Sequence, residues 1–476
     1  MVKHFQQMPR GFYWSCLLAF VLVGAFYARG AFRESILDTF TCAGQVVLDG
    51  ADPYRTEPLR TCERERSDSK RSENGDAVEP APLPGYALAP FALLSKLPRK
   101  VEHAVFPALL LGAVILACVA IAKLTTFSFP ALLVVFAPTT FLNILYGENT
   151  LFAVAGIALA GLAVSRRQYV LAAVAASCSM VQPHIGLVSC LALFLWVPRT
   201  RRSLLLCGVL AAALSVAMLG VERNIEYFRL ALPGQALSEV YADDQYSLTR
   251  MLFLLGVSPA LAIQLGSVSY VVMAIFGVWL AKRVSDTLNA PEFIPLLPAA
   301  AVLLGGTFVH DVQMSLAIPC AVVLACRART HKWLAWFALP LVAGLFDQPI
   351  WRPWLLRLAP FAAVPFLTKE RWSRHLSASG AAAAIAICAL FVGSALRQPI
   401  AAPIPMPADL LDGRRIASDA WGAYLRSQDP PPSKSPEEWI QRVPTWLGLI
   451  CILVVAAGQL KERRGADREL EEFTLA

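Results

Sequence analysis

Apolar runs of about 20 residues, the length that crosses the hydrocarbon core of a bilayer as a helix, recur along this chain. They fall near 11–30, 104–123, 127–146, 149–165, 169–182, 184–198, 203–220, 258–281, 293–309, 312–326, 333–347, 354–368, 376–396 and 444–460. The runs at 169–182 and 184–198 are short, which points to tilt, a break or a re-entrant pair. Composition agrees: 57% of the 476 residues are hydrophobic and 16% charged, against about 45–50% and about 25% in soluble domains. The expected fold is all-α, a polytopic transmembrane helix bundle of 12–14 spans over residues 1–476, with extracytoplasmic loops and an amphipathic surface helix.

The net charge is +8, but its placement argues for topology rather than for a nucleic-acid partner. Basic residues recur after every second span: Lys3 and Arg10; Lys123; Arg166 and Arg167; Arg199, Arg201 and Arg202; Lys282 and Arg283; Arg327, Arg329 and Lys332; Lys369, Arg371 and Arg374; Lys461, Arg463 and Arg464. The short turns around Gly147, Pro183 and His310 contain no Lys or Arg. By the positive-inside rule both termini lie in the cytoplasm of a bacterial-type inner membrane. The longer outward segments are then 31–103, 221–257, 348–353 and 397–443. The first span is read as retained, because Tyr27-Ala28-Arg29-Gly30 is a poor small-residue cleavage site.

Nine of the eleven cysteines fall inside expected spans, where they read as small buried apolar residues. Cys42 and Cys62 face outward and can pair in an oxidising compartment.

Polar residues collect at the outer ends of spans. Residues Arg33 to Leu48 form an amphipathic stretch, with Ile36, Leu37, Phe40, Val47 and Leu48 on one face and Glu34, Asp38, Thr41 and Gln45 on the other. Such a helix is expected along the membrane surface, its carboxylates raised toward water. Asp49-Gly50-Ala51-Asp52-Pro53-Tyr54 ends it, residues 60–80 read as a mobile charged insertion, and Pro82 to Pro98 returns to the membrane.

Three outward turns present polar groups among apolar helices: Tyr146-Gly147-Glu148-Asn149, Gln182-Pro183-His184 and His310-Asp311. Ionisable groups at the edge of hydrocarbon are functional candidates. Helix capping competes as an explanation, with Asn149 and Asp311 placed to cap the helices that follow them. Both readings stay open for His310 and Glu148, whereas His184 reads as structural. In 221–257, Asp243 and Asp244 are adjacent carboxylates that tend to point apart, so no metal is expected. Arg250 stands where the next apolar segment begins, placed to grip an anionic headgroup. In 397–443 a small cap is expected around Leu410–Leu425. No phosphate loop, dinucleotide fingerprint or Gly-x-Ser-x-Gly elbow occurs, and no cofactor is expected.

At these residues the chain resembles the polytopic glycosyltransferases of family 87, a branch of the GT-C class that uses polyprenyl-phosphate sugars. Asp38 followed by Asp49-Gly50-Ala51-Asp52-Pro53-Tyr54 is similar to the family's Asp…Gly-x-Asp-Pro-Tyr run. Pro82-Leu83-Pro84-Gly85-Tyr86 through Lys96-Leu97-Pro98 resembles its proline-rich return. Gly147-Glu148-Asn149 resembles its Gly-Gln-x-Asn turn, Gln182-Pro183 its Lys-Pro, Asp244-Gln245-Tyr246-Ser247-Leu248 its Asn-Gln-Ser-Leu, and His310-Asp311 its later histidine turn. The likeness covers about residues 12–330. Glu148, Gln182 and the insertion at 60–80 depart from it.

The resemblance implies that Asp38 is the general base for an acceptor hydroxyl and that His310 contacts the donor phosphate, with Arg250 as a second candidate there. Glu148, Asn149, Gln182, His184, Asp244 and Gln245 complete the expected substrate-binding set. The implied reaction inverts a sugar, mannose or similar, from a polyprenyl-phosphate donor onto a lipid or glycan acceptor outside the cytoplasm. A lipid-linked sugar flippase is the alternative from another class. A polysaccharide polymerase or ligase is a third reading, kept open by Arg223, Arg229 and Arg250.

Overall fold

The computed structural model describes residues 18, 20–22, 36–66, 78–242, 244–344, 360, 372–395, 412–428 and 436–475. Among these the chain is helical throughout, and the strand-like pairings are two isolated bridges, Arg55 with Ile416 and Gln245 with His310. The helices are α1 (Ile36–Leu48), α2 (Thr56–Arg66), α3 (Gly85–Leu94), α4 (Arg99–Leu124), α5 (Phe129–Tyr146) and α6 (Thr150–Ser165). They continue as α7 (Tyr169–Cys178), α8 (Pro183–Trp196), α9 (Arg201–Glu226), α10 (Leu232–Glu239), α11 (Leu248–Leu254) and α12 (Pro259–Leu288). The last are α13 (Phe293–Val302), α14 (Ile318–Arg327), α15 (Lys332–Ala343), α16 (Trp372–Ala395), α17 (Ala417–Gln428) and α18 (Pro436–Leu475).

Every expected span from 104 onward coincides with a described helix, except 354–368, which apart from position 360 lies outside the described residues. Most of span 11–30 lies outside them too. Five helical stretches are long and apolar enough to cross a membrane: Arg99–Leu124, Phe129–Tyr146, Pro198–Glu239, Pro259–Leu288 and Ile440–Leu460. Prolines inside α4 (Pro107), α5 (Pro138), α13 (Pro298) and α15 (Pro340) are tolerated there because neighbouring helices re-satisfy the freed backbone groups.

Burial sorts the helices into inner and outer ones. α6, α13, α14 and α15 are buried almost around their whole circumference. By contrast α9 exposes Leu205, Leu206, Val209 and Leu210, and α12 exposes Val268, Val271, Val272 and Ile275. Continuous aliphatic faces of that extent are what lipid covers. The short pair α7 and α8 is joined by a tight turn at Ser179–Val181, and a Cβ at Gly186 would stand 2.5 Å from the Ser179 carbonyl oxygen. Two short, closely packed helices therefore occupy the region that is too short for two full crossings.

Polar contacts gather at two ends. At one, Arg327 donates to the Leu124 carbonyl at 3.3 Å and pairs with Glu292 at 3.3 Å, while the Gln459 amide holds the backbone of Arg329 at 2.9 Å. These are the basic turns expected on the cytoplasmic side. The other end collects the loops around Asp52, Glu148, Gln182, Asp244, His310 and Ile416.

Two expectations for the first loop are corrected. Helix α1 does not lie on a surface, because it is buried on both faces and Asp38 is only 3% exposed. Its apolar face packs on α3 so closely that a Cβ at Gly44 would stand 2.5 Å from the Ala92 backbone nitrogen. Its polar face meets charged residues of α2 and α4 instead of water, and amphipathicity alone does not distinguish those two partners. The insertion at 60–80 is also partly ordered, since α2 runs to Arg66 and Cys62 forms a disulfide with Cys42 of α1. Residues 67–77 lie outside the described set.

The expected cap is a helix at Ala417–Gln428, displaced toward the C-terminus from Leu410–Leu425. It ties two outward segments together. Thr56 and Glu57 donate backbone bonds to Arg415 and Gly413, and Ser418 donates to Gln235 of α10 at 3.0 Å.

Candidate active site

The site end contains two ion-pair clusters. The first centres on Asp38. Arg99 and His103 occupy the first turn of α4 with helical i, i+4 spacing, which puts both on one face. Arg99 Nη2 stands 3.2 Å from Asp38 Oδ2, and His103 Nε2 stands 3.1 Å from Asp38 Oδ1. Burial alone would raise the Asp38 pKa, but the hydrogen bond and charge of His103, then Arg99, outweigh it and hold the carboxyl below its ordinary value. Beside it, Arg66 of α2 reaches both Glu102 at 3.0 Å and the Thr41 hydroxyl at 2.7 Å. The Cys42–Cys62 bridge, one turn beyond Asp38, fastens α2 to α1.

The second cluster centres on His310. Its Nδ1 is 2.9 Å from the Asp244 carboxylate and its Nε2 is 3.7 Å from Glu239. Backbone bonds fix the two segments face to face: Asp311 N donates to the Asp244 carbonyl at 3.1 Å and Tyr246 N to that of Val309 at 2.7 Å. The Gln245 side chain spans them, donating to Glu239 at 2.7 Å and accepting from Val309 N at 2.8 Å. Burial works to lower the His310 pKa, but the charges of Asp244 and Glu239 overcome it and raise the value well above the ordinary one. The Asp244 carboxyl shifts the opposite way: burial opposes ionisation, and His310 outweighs it and holds the pKa low. An imidazolium flanked by two carboxylates is the result.

Glu148 lies within electrostatic reach of the second cluster. Gly147, at φ 73°, ends α5 in the left-handed conformation that glycine adopts without a Cβ penalty, and Glu148 N then donates back to the Asn143 carbonyl at 2.9 Å. Burial pushes the Glu148 carboxyl up to about 7; His310 opposes that shift, while Asp244 and Glu79 add to it. Glu79 in turn accepts from Thr39, the neighbour of Asp38, at 3.3 Å.

A buried amide chain backs His310. Gln182 Nε2 donates to Asn149 Oδ1 at 2.6 Å, and Gln313 Nε2 donates to Gln182 Oε1 at 2.9 Å. Gln313 Oε1 accepts from the His310 backbone at 3.1 Å and lies 3.3 Å from His184 Nε2. Asn149 stands at the N-cap of α6, yet its side chain caps nothing and turns to Gln182 instead. His184 is packed on Phe308, and its carbonyl accepts from Tyr270.

Arg250 is placed differently from expectation. It is 1% exposed, donates to the Val240 carbonyl at 2.8 Å and lies over the Phe253 ring, so it braces its own loop instead of opening to a headgroup. The buried cation beside Asp244 is Arg442 of α18, whose Nε donates to the Gln245 carbonyl at 2.6 Å while Trp446 Nε1 holds that of Tyr246 at 3.1 Å. Asp243 lies outside the described residues.

Sequence reasoning missed Arg99, His103, Glu239 and Arg442. The available signal for the first two was a basic pair at i, i+4 opening a span directly after Pro98. Glu239 and Arg442 carry no local pattern, because they are brought in by tertiary contact. Two groups have ligand atoms within 4.8 Å of one another, Asp38–Glu102–His103 and Glu239–Asp244–His310. Neither is read as a metal centre, since in both an imidazole already stands at hydrogen-bond distance from a carboxylate and balances its charge.

No curated protein and no solved structure gives a significant match to the chain. The family model of glycosyltransferase family 87 matches residues 82–304. That stretch includes Glu148, Asn149, Gln182, His184, Asp244, Gln245 and Arg250, and it excludes Asp38 and His310. Residues 82–304 thus carry a glycosyltransferase family 87 domain, and the activity such a domain indicates is glycosyl transfer.

Proposed function

We propose that the chain is an inverting transferase, moving a sugar such as mannose from a polyprenyl-phosphate donor to a lipid or glycan acceptor on the extracytoplasmic face. The observation that carries this reading is a buried carboxylate, Asp38, held by Arg99 and His103, together with a carboxylate-held imidazole, His310, among the outward segments. Asp38 takes the proton from the acceptor hydroxyl as that oxygen bonds to the anomeric carbon. The bond from that carbon to the phosphate oxygen breaks, and its electron pair leaves with the phosphate. His310, kept cationic by Asp244 and Glu239, stabilises the departing charge. A phosphate is a good enough leaving group that one carboxylate suffices, and a single displacement inverts the anomeric centre. Arg250 braces the loop that presents Asp244 through the Val240 carbonyl. The alternation of basic turns supports the sidedness, with both termini cytoplasmic.

The purified chain, offered radiolabelled mannose on one phosphate or on a pyrophosphate of the same polyprenol, tests the donor class. Transfer to octyl α-mannoside from the monophosphate alone, with an inverted linkage, is expected. Use of the pyrophosphate donor alone, or a retained anomeric configuration, contradicts the reading.

A further inference from the structure

We propose that Arg99 and His103 are positioning residues for Asp38, each holding one carboxylate oxygen so that the remaining lone pairs point at the acceptor hydroxyl. This rests on the reading of Asp38 as the base, and it adds the groups that aim it.

An aspartate side chain rotates about two bonds, and a base that swings away from its proton loses the alignment that proton transfer requires. A charge-assisted hydrogen bond from Arg99 at 3.2 Å and a contact with His103 Nε2 at 3.1 Å, one on each oxygen, restrain both rotations. The donors are themselves fixed. They are one helical turn apart at the start of α4, and α1, which carries Asp38, is locked on its other side by α2 through the disulfide and through Arg66.

The surroundings separate an aiming role from simple packing. Charged groups facing this pocket are Arg99, His103 and Glu102 from α4, Arg66 and Glu63 from α2, and Glu79 from the segment before α3. Arg66 already pairs with Glu102, and Glu63 and Glu79 both accept from Thr39, next to Asp38. Loss of the Arg99 cation or of the His103 hydrogen bond therefore weakens what offsets the burial of Asp38. Its aim is lost, which slows turnover, and its proton is held more tightly, which moves the pH at which it ionises upward. A residue that only filled space would change neither the pH profile nor the rate independently of stability.

The experiment is the pH dependence of kcat for the full chain in detergent, with radiolabelled polyprenyl-phosphate mannose as donor and octyl α-mannoside as acceptor. His103→Gln replaces the imidazole by an amide of different reach and so alters the contact with Asp38 Oδ1. It is expected to lower kcat by about tenfold, to leave the donor KM nearly unchanged and to shift the acid limb to higher pH. Arg99→Lys is expected to restore most of the rate lost in Arg99→Ala. Asp38→Asn serves as the control. If Asp38→Asn is inactive while His103→Gln and Arg99→Ala keep the wild-type rate and acid limb, this proposal is overturned and the base remains. If Asp38→Asn itself turns over normally, the base reading fails first. Should His103→Gln not accumulate as folded protein, Arg99→Ala decides by the same readouts, because that side chain is 30% exposed and tolerates change.

Discussion

His310 Nδ1 lies 2.9 Å from the Asp244 carboxylate although 66 residues separate them, and Glu239 approaches the opposite nitrogen of the same ring. The imidazole is therefore charged, as its proposed role beside a leaving phosphate requires. A histidine whose folded pKa is raised contributes stability that is fully present below the unfolded value, about 6.5, and lost as pH rises through the higher folded value. Asp244→Asn removes the larger of the two stabilising charges. The alkaline limb of kcat/KM is expected to move to lower pH, with the acid limb unchanged. Initial rates across pH for the two proteins provide the check.

Glu148 loses its stabilisation in the same direction of pH. Burial pushes its carboxyl from the ordinary 4.5 up to about 7. Folding then favours the protonated form, and the stability this confers is lost between about 4.5 and about 7 as pH rises. Glu148→Gln, which mimics the neutral acid, is expected to unfold at a higher temperature than wild type at pH 8 and at the same temperature at pH 4. Melting curves at the two pH values decide it.

The Cys42–Cys62 bridge closes a loop of 20 residues and fixes the helix that carries Asp38. Removing a native bridge of this kind costs about 2–4 kcal/mol. Cys42→Ser/Cys62→Ser is expected to melt lower by a corresponding margin, and reductant is expected to lower the wild type toward it while leaving the double variant unchanged. Peptide mapping without reduction checks that the pair forms.

Gly44 is a packing constraint on the same helix. A Cβ there would sit 2.5 Å from Ala92 N and 2.7 Å from Phe91 C, both backbone atoms that cannot swing aside. Gly44→Ala is expected to destabilise the chain by about 1–3 kcal/mol, read as a lowered denaturation midpoint, and to reduce transfer through displacement of Asp38.

The helices were legible in the sequence because a membrane span announces itself locally. Twenty apolar residues need no partner to be recognised, and the basic turns at Lys123 and Arg327 fall at one end as their alternation implied. The turns at Glu148, Gln182 and His310 were legible for a similar reason, since polar groups stand out among apolar neighbours. Helix α1 was not. Its periodicity shows two faces, but whether the polar face meets water or Arg99, His103 and Arg66 depends on segments 25 to 65 residues away. Arg250 misled in the same manner, because a cation at a helix start looks identical whether it faces a headgroup or the Val240 carbonyl. The match to residues 82–304 leaves Asp38 and His310 outside, so the roles of those two rest on geometry and await direct measurement.

Asp38→Asn tests the central claim most directly. The variant keeps the size of the side chain and one oxygen for His103 or Arg99, and it loses the basic carboxylate. In a transfer assay with radiolabelled polyprenyl-phosphate mannose, the account predicts a folded protein that binds donor with near wild-type KM and turns over at least about a hundredfold more slowly. A variant that transfers sugar at the wild-type rate would contradict it.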